Sequence, residues 1–175
     1  QFAGESKELT VLFSDIRSFT NISESLSAAD LKALLNSYFT PVTKVIFDHE
    51  GTIDKYVGDM VMAFWGAPLD DERHAFHAVQ AALSMQQVTA SLCEEFAARG
   101  WPAIKIGIGI NSGQMNVGDM GSSYRRAYTV LGDAVNLGSR LESITKFYDA
   151  EILVGEHTQA LAPEFVYRYI DRIQV

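Results

Sequence analysis

Two aspartates stand where the sequence otherwise predicts buried strands. Asp15 ends the apolar run of residues 8–16, and Asp59 follows Gly58 at a tight turn inside the strand-like residues 54–66. An unpaired carboxylate in such surroundings is costly, so we expect a cation as its partner. Paired carboxylates with open positions suit Mg²⁺ or Mn²⁺, which keep water ligands and bind phosphate oxygens. The structural alternative is that Asp15 caps the next turn and Asp59 serves only the hairpin.

The segment after Asp15 is a candidate phosphate site. Its sequence is Ile16-Arg17-Ser18-Phe19-Thr20, at the point where strand passes into helix. Free backbone N–H groups and a hydroxyl at such a junction suit a phosphate group. This prediction fits a metal–phosphate site beside Asp15.

A second candidate group is the pair Asn136 and Arg140, which are spaced i, i+4 on a predicted helix and therefore share one face. An amide and a guanidinium held together suit the charge that develops on a phosphoryl group under attack. The alternative is a solvated arginine beside an ordinary asparagine near a helix start. Spacing alone favours that alternative.

The spacing of apolar residues predicts the elements that position these groups. We expect strands at residues 8–16, on both sides of Gly58-Asp59, and at 103–111, 151–154 and 165–173, while residues 128–131 lead into the third helix. Helices are expected after a capping box at Ser27, from Asp70 or Asp71 to Arg99-Gly100, and from about Asp133, where Leu137, Leu141 and Ile144 pack. The Gly-rich residues 112–123 are expected to turn the chain and to hold another short strand.

This order, β-α-β-β-α-β, predicts an α+β fold with a ferredoxin-like split βαβ core and an appended helix and C-terminal strands. We expect the helices on one face of a mostly antiparallel sheet. In this core the first strand and the hairpin are neighbours, so Asp15 and Asp59 are expected to converge.

The composition is that of one folded domain, which we assign to residues 1–175. Hydrophobic residues make up 47% and charged residues 21% of the chain. The net charge of −8 argues against a nucleic-acid partner, which demands a basic face. The single cysteine, Cys93, fits a reducing compartment, and no apolar run has the length of a membrane span. The chain starts at Gln1 and stops at Val175 in mid-pattern, so we expect a domain excised from a longer parent protein.

Other chemistries find no support in the sequence. The four histidines, of which His74 and His77 lie closest together, are interpreted as surface residues, because no nearby carboxylate supports a metal site. There is no nucleophile elbow, Cys/His pair or Walker loop. Residues 107–113, Gly-Ile-Gly-Ile-Asn-Ser-Gly, are only superficially similar to a dinucleotide fingerprint, because they alternate like a strand.

Four motifs together resemble the class III nucleotidyl cyclase catalytic domain. They are Phe-Ser-Asp-Ile-Arg-Ser-Phe-Thr at 13–20, Asp-Lys-Tyr-Val-Gly-Asp at 54–59, residues 107–113, and Tyr-Thr-Val-Leu-Gly-Asp-Ala-Val-Asn-Leu-Gly-Ser-Arg-Leu-Glu at 128–142. They stand in family order and cover nearly the whole chain. The pattern is most similar to bacterial adenylate cyclases of the Lys/Thr subgroup, which is often stimulated by bicarbonate.

The resemblance implies a head-to-tail homodimer with two active sites at its interface. It implies that Asp15, Ile16 and Asp59 hold two Mg²⁺ or Mn²⁺ ions, and that Asn136 and Arg140 reach across from the other subunit to the ribose and the transition state. The implied reaction is attack of the 3′-hydroxyl of ATP on its own α-phosphate, which releases pyrophosphate. Phe19 and Thr20 are implied contacts of the substrate.

The base-reading pair of the family corresponds to Lys55 and Thr129. Lysine donates to N1 of adenine and a threonine oxygen accepts from the N6 amine, whereas guanylate cyclases usually carry an acid at the first position. The alternatives that stay open are a guanylate cyclase and a catalytically weak domain that only dimerises and regulates a partner.

Two departures from the family pattern stand out. Ser18 replaces a frequent glycine where backbone approaches phosphate, and the Lys-rich hairpin that follows Val175 in the family is absent, so we expect a domain truncated at that hairpin. The resemblance also implies a cytoplasmic catalytic domain and an upstream sensor in a parent protein that can carry a membrane anchor.

Overall fold

The computed structural model describes residues 3–174, which form one six-stranded sheet and five helices. The elements in chain order are β1 (Ala3–Ile16), α1 (Phe19–Ser25), α2 (Ala28–Asp48), β2 (Thr52–Val57), β3 (Met60–Trp65), α3 (His74–Ala98), β4 (Ile106–Gly121), β5 (Arg126–Leu131), α4 (Asp133–Ile144), β6 (Ile152–Val154) and α5 (Glu156–Leu161). The strand order is β2-β3-β1-β4-β5, all antiparallel, and β6 pairs with β4 in parallel. The predicted α+β class is confirmed.

The two faces of the sheet bury different helices. Along β1, Leu12 and Ile16 join the larger core beneath α2 and α3, whereas Leu9, Val11 and Phe13 face a second core that includes Val135 of α4. This division follows from the alternation of side chains along a strand. The expectation that all helices lie on one face is therefore wrong, because α4 packs on the face opposite α2 and α3.

Glycines allow α4 to lie directly on the sheet. A Cβ atom on Gly109 would stand 2.2 Å from the backbone nitrogen of Glu142, and one on Gly138 would stand 2.8 Å from Val11 Cγ1. The Gly-Ile-Gly-Ile motif of β4 thus alternates a bare face for α4 with isoleucines that fill the core beneath α3. Its role is helix packing.

The sheet curls so that its two ends approach each other. Strands β2 and β5 are separated by three strands in the sheet order, yet the Thr129 hydroxyl donates to Asp54 Oδ2 at 2.5 Å. The rings of Phe64 on β3 and Tyr128 on β5 lie 6.0 Å apart, and the second core fills the space inside the curl. Residues far apart in the sheet are therefore neighbours.

Several local predictions are confirmed. The Ser27 hydroxyl accepts from the backbone N–H of Asp30 at 3.1 Å and caps α2. Gly58 has a φ of +60° in the turn between β2 and β3, as a tight turn requires. Helix α4 begins at Asp133 as expected.

Other boundaries differ from the expectation. Helix α3 begins at His74, because the Asp71 carboxylate accepts from the backbone N–H of Arg73 and holds a turn before the helix. Strand β4 continues through the Gly-rich residues to Gly121, because β1 and β5 pair with it on both sides. The buried face of α4 carries Val135, Gly138, Leu141 and Glu142, while Leu137 and Ile144 are half-buried.

The C-terminal segment also differs. Residues 165–173 form no strand, because they have no strand partner, and Phe165 instead stacks on Phe76 at 5.2 Å between ring centroids. The short helix α5 was not predicted. No helix among residues 3–174 combines the length and the apolar character that a membrane crossing requires.

Candidate active site

The first group of predicted site residues meets at the end of β1. The β2–β3 turn brings the Asp59 carboxylate to the backbone N–H of Ile16, which donates to Asp59 Oδ2 at 2.7 Å. Asp15 is half-buried, next to this peptide, on the face of the sheet that carries α4. The strand order explains this contact between Asp59 and the end of β1, because β3, which follows the turn, is the direct neighbour of β1 in the sheet.

Electrostatics in this acid cluster oppose full ionisation. Burial raises the pKa of Asp59, the hydrogen bond from the Ile16 N–H opposes that rise, and repulsion from Asp15 adds to it. Glu142 of α4 lies over the same point with 8% of its surface exposed. Burial, together with a hydrogen bond to Asp15, raises the pKa of Glu142 to about 9, so its carboxyl is protonated at neutral pH. The cluster thus holds more acid than it can keep ionised without a cation.

The donor set fits a hard divalent cation that brings its own further ligands. No group of three His, Cys, Asp or Glu side chains in residues 3–174 has the arrangement of a metal site. The donors that the structure brings together are the carboxylates of Asp15 and Asp59, on either side of the Ile16 peptide. Mg²⁺ and Mn²⁺ are held in this way, by one or two carboxylates with water and phosphate oxygens completing the shell.

The segment after β1 has an unusual backbone at its start. Ser18 precedes α1 with a φ of +56°, in the left-handed region that favours glycine. Phe19 is half-buried against the larger core, and the side chain of Thr20 is exposed in the first turn of α1. Both residues therefore sit within a short distance along the chain from Asp15 and Ile16.

Asn136 and Arg140 are both exposed on α4. Neither side chain makes a hydrogen bond or ion pair with Asp15, Ile16 or Asp59 in the described part of the chain. Arg140 lines a shallow depression together with Ile144, Phe147, Tyr148 and Ile173. Within a single chain, this pair forms a group separate from the acid cluster.

Lys55 and Thr129 meet at a third residue, Asp54. The Thr129 hydroxyl donates to Asp54 Oδ2 at 2.5 Å, and Lys55 Nζ lies 3.8 Å from Asp54 Oδ1. The Asp54 side chain is only 2% exposed, whereas that of Lys55 is 51% exposed. One buried carboxylate therefore accepts a hydrogen bond from Thr129 and lies close to the ammonium of Lys55.

The histidine interpretation is wrong for two residues. His74 is buried, and its Nδ1 lies 2.6 Å from the hydroxyl of Thr10 and its Nε2 3.3 Å from Glu8 Oε1. Burial lowers the pKa of His74, and its contact with Glu8 opposes that shift. His77 Nδ1 lies 2.6 Å from Asp71 Oδ2. Glu8 was missed because it lies on β1, far from His74 in the sequence, whereas Asp71 stands only six residues before His77, in the loop that precedes α3.

Two residues of the site, Asp54 and Glu142, were not predicted from the sequence. An aspartate inside a strand is unfavourable, so Asp54 in the middle of β2 was a usable signal. Glu142 gave none, because its contact with Asp15 depends on the close packing that the β4 glycines allow.

The comparisons with known proteins agree on one family. The sequence profile described as Adenylate and Guanylate cyclase catalytic domain matches residues 3–175. Adenylate cyclase 1 of Rhizobium meliloti (strain 1021) is 38% identical over 160 residues, which are 91% of this chain and 24% of that protein. The chain thus spans about a quarter of the length of this curated relative.

Solved structures show the same similarity in three dimensions. The adenylyl cyclase CyaB from P. aeruginosa is 40% identical with a TM-score of 0.86, over 92% of this chain and 83% of that one. The guanylyl cyclase Cya2 is 35% identical with a TM-score of 0.85, over 91% of this chain and 80% of that one. The fold is common to these proteins.

Proposed function

The chain belongs to the family of adenylate and guanylate cyclase catalytic domains, and on that premise we propose that it converts ATP into 3′,5′-cyclic AMP and pyrophosphate. In this reaction the ribose O3′ forms a bond to the α-phosphorus, the bond from that phosphorus to the bridging oxygen breaks, and the hydroxyl proton leaves. The observation that carries the proposal is the acid cluster, in which Asp59 reaches the Ile16 peptide beside Asp15.

The acid cluster is proposed to bind the triphosphate through two Mg²⁺ or Mn²⁺ ions. Asp15, Asp59 and the backbone oxygen of Ile16 are the residues that would hold them. Bound there, the ions would lower the pKa of the 3′-hydroxyl and offset the charge of the phosphates. This also explains how a chain with a net charge of −8 accepts a polyanion. Phe19 and Thr20 follow directly and are proposed to border the phosphates.

Asn136 and Arg140 are proposed to act in a site shared between two copies of the chain. They are exposed on α4 and make no contact with the acid cluster of their own chain within residues 3–174. A head-to-tail homodimer resolves this separation, because the Arg140 guanidinium of one copy would then stabilise charge on the phosphate held by the other. The amide of Asn136 would orient the ribose.

The base is proposed to be adenine. Lys55 has only N–H donors to offer and suits the N1 acceptor, while Thr129 can accept from the N6 amine. The relatives named adenylate cyclase and the adenylyl cyclase structure support this choice. The guanylyl cyclase Cya2, with a nearly equal TM-score, makes GTP the second candidate. The coverage of the curated relative leaves room for an upstream sensor domain in the same protein.

The test is product formation by the purified chain with ATP or GTP and Mn²⁺, followed by chromatography. We expect cyclic AMP as the main product. Cyclic GMP as the main product would overturn the adenylate assignment while keeping the family chemistry. A folded dimer that makes neither product would support a regulatory domain instead.

A further inference from the structure

Asp54 contacts both residues of the predicted base-reading pair, although the sequence motif that contains it gave it no role. Asp54 lies on β2 with its side chain 2% exposed, and its two oxygens face different partners. Oδ2 accepts the hydroxyl proton of Thr129 at 2.5 Å, and Oδ1 lies 3.8 Å from Lys55 Nζ. A buried carboxylate needs such partners, so this contact is a fixed part of the structure.

A bulge in β2 turns the side chain of Asp54 toward Thr129. The register passes from Ile53 opposite Ala63 directly to Lys55 opposite Met62, so Asp54 is an additional residue in the strand. Consecutive strand residues normally point to opposite faces, and a bulge suspends that alternation and re-aims a side chain. The curl of the sheet then brings Thr129 of β5 to the same carboxylate.

The contact fixes which way the Thr129 hydroxyl points. A threonine hydroxyl has one donor and two acceptor lone pairs, and an ionised carboxylate can only accept. Because its proton is given to Asp54, Thr129 offers a ligand lone pairs alone. Lys55 offers donors alone. The pair therefore presents one donor and one acceptor of fixed polarity, which matches the N1 acceptor and N6 amine of adenine and opposes the N1–H and O6 of guanine.

We propose that Asp54 is a positioning residue that sets the preference for adenine over guanine by holding the Thr129 hydroxyl as an acceptor. This inference rests on the proposed function, because it concerns how that site reads its base. Without the carboxylate, the Thr129 hydroxyl is free to turn its proton toward the O6 of guanine. Asp54 itself touches neither the base nor the reacting atoms.

The test compares kcat/KM for ATP and GTP in Asp54→Asn and the wild-type chain. The amide can donate to Thr129 and so release its proton, and we expect the ATP-to-GTP ratio of kcat/KM to fall about 10-fold. The change should lie mainly in KM, and Asp54→Glu, which keeps a carboxylate, should restore part of the ratio. Asp48→Asn, which removes an exposed carboxylate paired with Lys44, is the matched control and should leave the ratio unchanged.

A purely structural role of Asp54 predicts equal losses with both nucleotides, and an unchanged ratio would overturn the inference. In a Thr129→Val background, Asp54→Asn should no longer change the ratio, because the group it orients is gone. A further fall in that background would also contradict the inference.

Two further measurements apply if Asp54→Asn does not fold or if the wild-type chain makes no cyclic nucleotide. If Asp54→Asn does not fold, the wild-type chain is tested with O6-methylinosine triphosphate, which has an oxygen acceptor where adenine has its amine. We expect at least about 10-fold less efficient use than of purine riboside triphosphate, and equal use would overturn the inference. If the wild-type chain makes no cyclic nucleotide, the proposed function fails alone, and the same ratio is measured as Kd values for non-hydrolysable ATP and GTP analogues.

Discussion

The β2–β3 hairpin carries two aspartates whose surroundings are opposite in kind. Asp54, in the strand, is almost fully buried and accepts from Thr129 beside the ammonium of Lys55. Asp59, at the turn, is half-buried, accepts from one backbone N–H, and stands near Asp15, a group of like charge. Asp54 therefore has a hydrogen-bond donor and a cation from its own chain beside it, whereas the described contacts of Asp59 include no cation.

We expect this difference to distinguish a residue that positions its neighbours, Asp54, from one that binds a ligand, Asp59. A carboxylate whose partners are built into the fold contributes to stability and geometry whether or not a ligand is present. A carboxylate placed beside another one destabilises the free chain and is retained where a cation binds. The two aspartates should therefore respond differently to substitution, to metal and to pH.

The largest expected effect is on activity. Asp59→Asn should lower the rate with ATP and with GTP by about 100-fold or more, because it removes a charge that we propose holds the metal ions. Asp54→Asn should instead change the ratio of the two substrates. The measurement is the initial rate at saturating Mn²⁺ with each nucleotide. A change of the ATP-to-GTP ratio by Asp59→Asn without a large loss of rate would contradict the different roles proposed for Asp54 and Asp59.

The proposed sharing of the site between two copies predicts that two inactive variants complement each other. Asp59→Ala and Arg140→Ala should each be nearly inactive, and equal mixing should restore about one quarter of wild-type activity, because half of the dimers are mixed and each has one intact site. Subunit exchange is confirmed separately with labelled chains. Exchange without rescue would contradict the shared site.

The second expected effect is on metal-dependent stability. Mn²⁺ or Mg²⁺ should raise the Tm of the wild-type and Asp54→Asn chains, and a cation at 100 times its Kd contributes about 2.7 kcal/mol to the free energy of unfolding. Asp59→Asn should lose this gain. Thermal unfolding with EDTA and with added metal is the measurement. A full gain of Tm in Asp59→Asn would place the cation elsewhere.

The two aspartates also show which parts of the site can be predicted from the sequence. The convergence of Asp15 and Asp59 could be predicted because each carboxylate interrupts an apolar strand pattern and the order of elements makes their strands neighbours. Asp54 was missed because its role depends on a bulge and on the curl that joins β2 to β5, neither of which leaves a periodic signal. Residues 165–173 have the composition of a strand, but strand formation requires a partner that the fold does not provide.

Glu142 extends the contrast to a carboxyl that the fold keeps neutral. Its pKa is about 9 in the folded chain, so between pH 4.5 and that value folding takes up a proton and stability falls as pH rises. Glu142→Gln imitates the protonated form. It should raise the free energy of unfolding at pH 8 in EDTA by about 1 kcal/mol or more, with little gain at pH 5.

Denaturant unfolding at the two pH values measures this effect, and the exposed Glu94→Gln is the control. An equal gain at both pH values would show that the effect comes from packing and not from the proton. A loss of stability at pH 8 would contradict a neutral Glu142, because glutamine imitates that form and avoids the cost of taking up a proton on folding.

The smallest effect concerns the backbone on the two sides of the acid cluster. Ser18 and Gly58 have φ values of +56° and +60°, so the same left-handed conformation is filled once by serine and once by glycine. Ser18→Gly should raise the free energy of unfolding by about 0.5 kcal/mol, since relief of strain exceeds the entropy that glycine loses on folding. Gly58→Ser should lower it by about 1 kcal/mol, because a Cβ there meets no atom within 4 Å and only the conformation opposes it. Denaturant unfolding in EDTA measures both, and changes of the same sign in the two variants would show that something other than the left-handed backbone determines them.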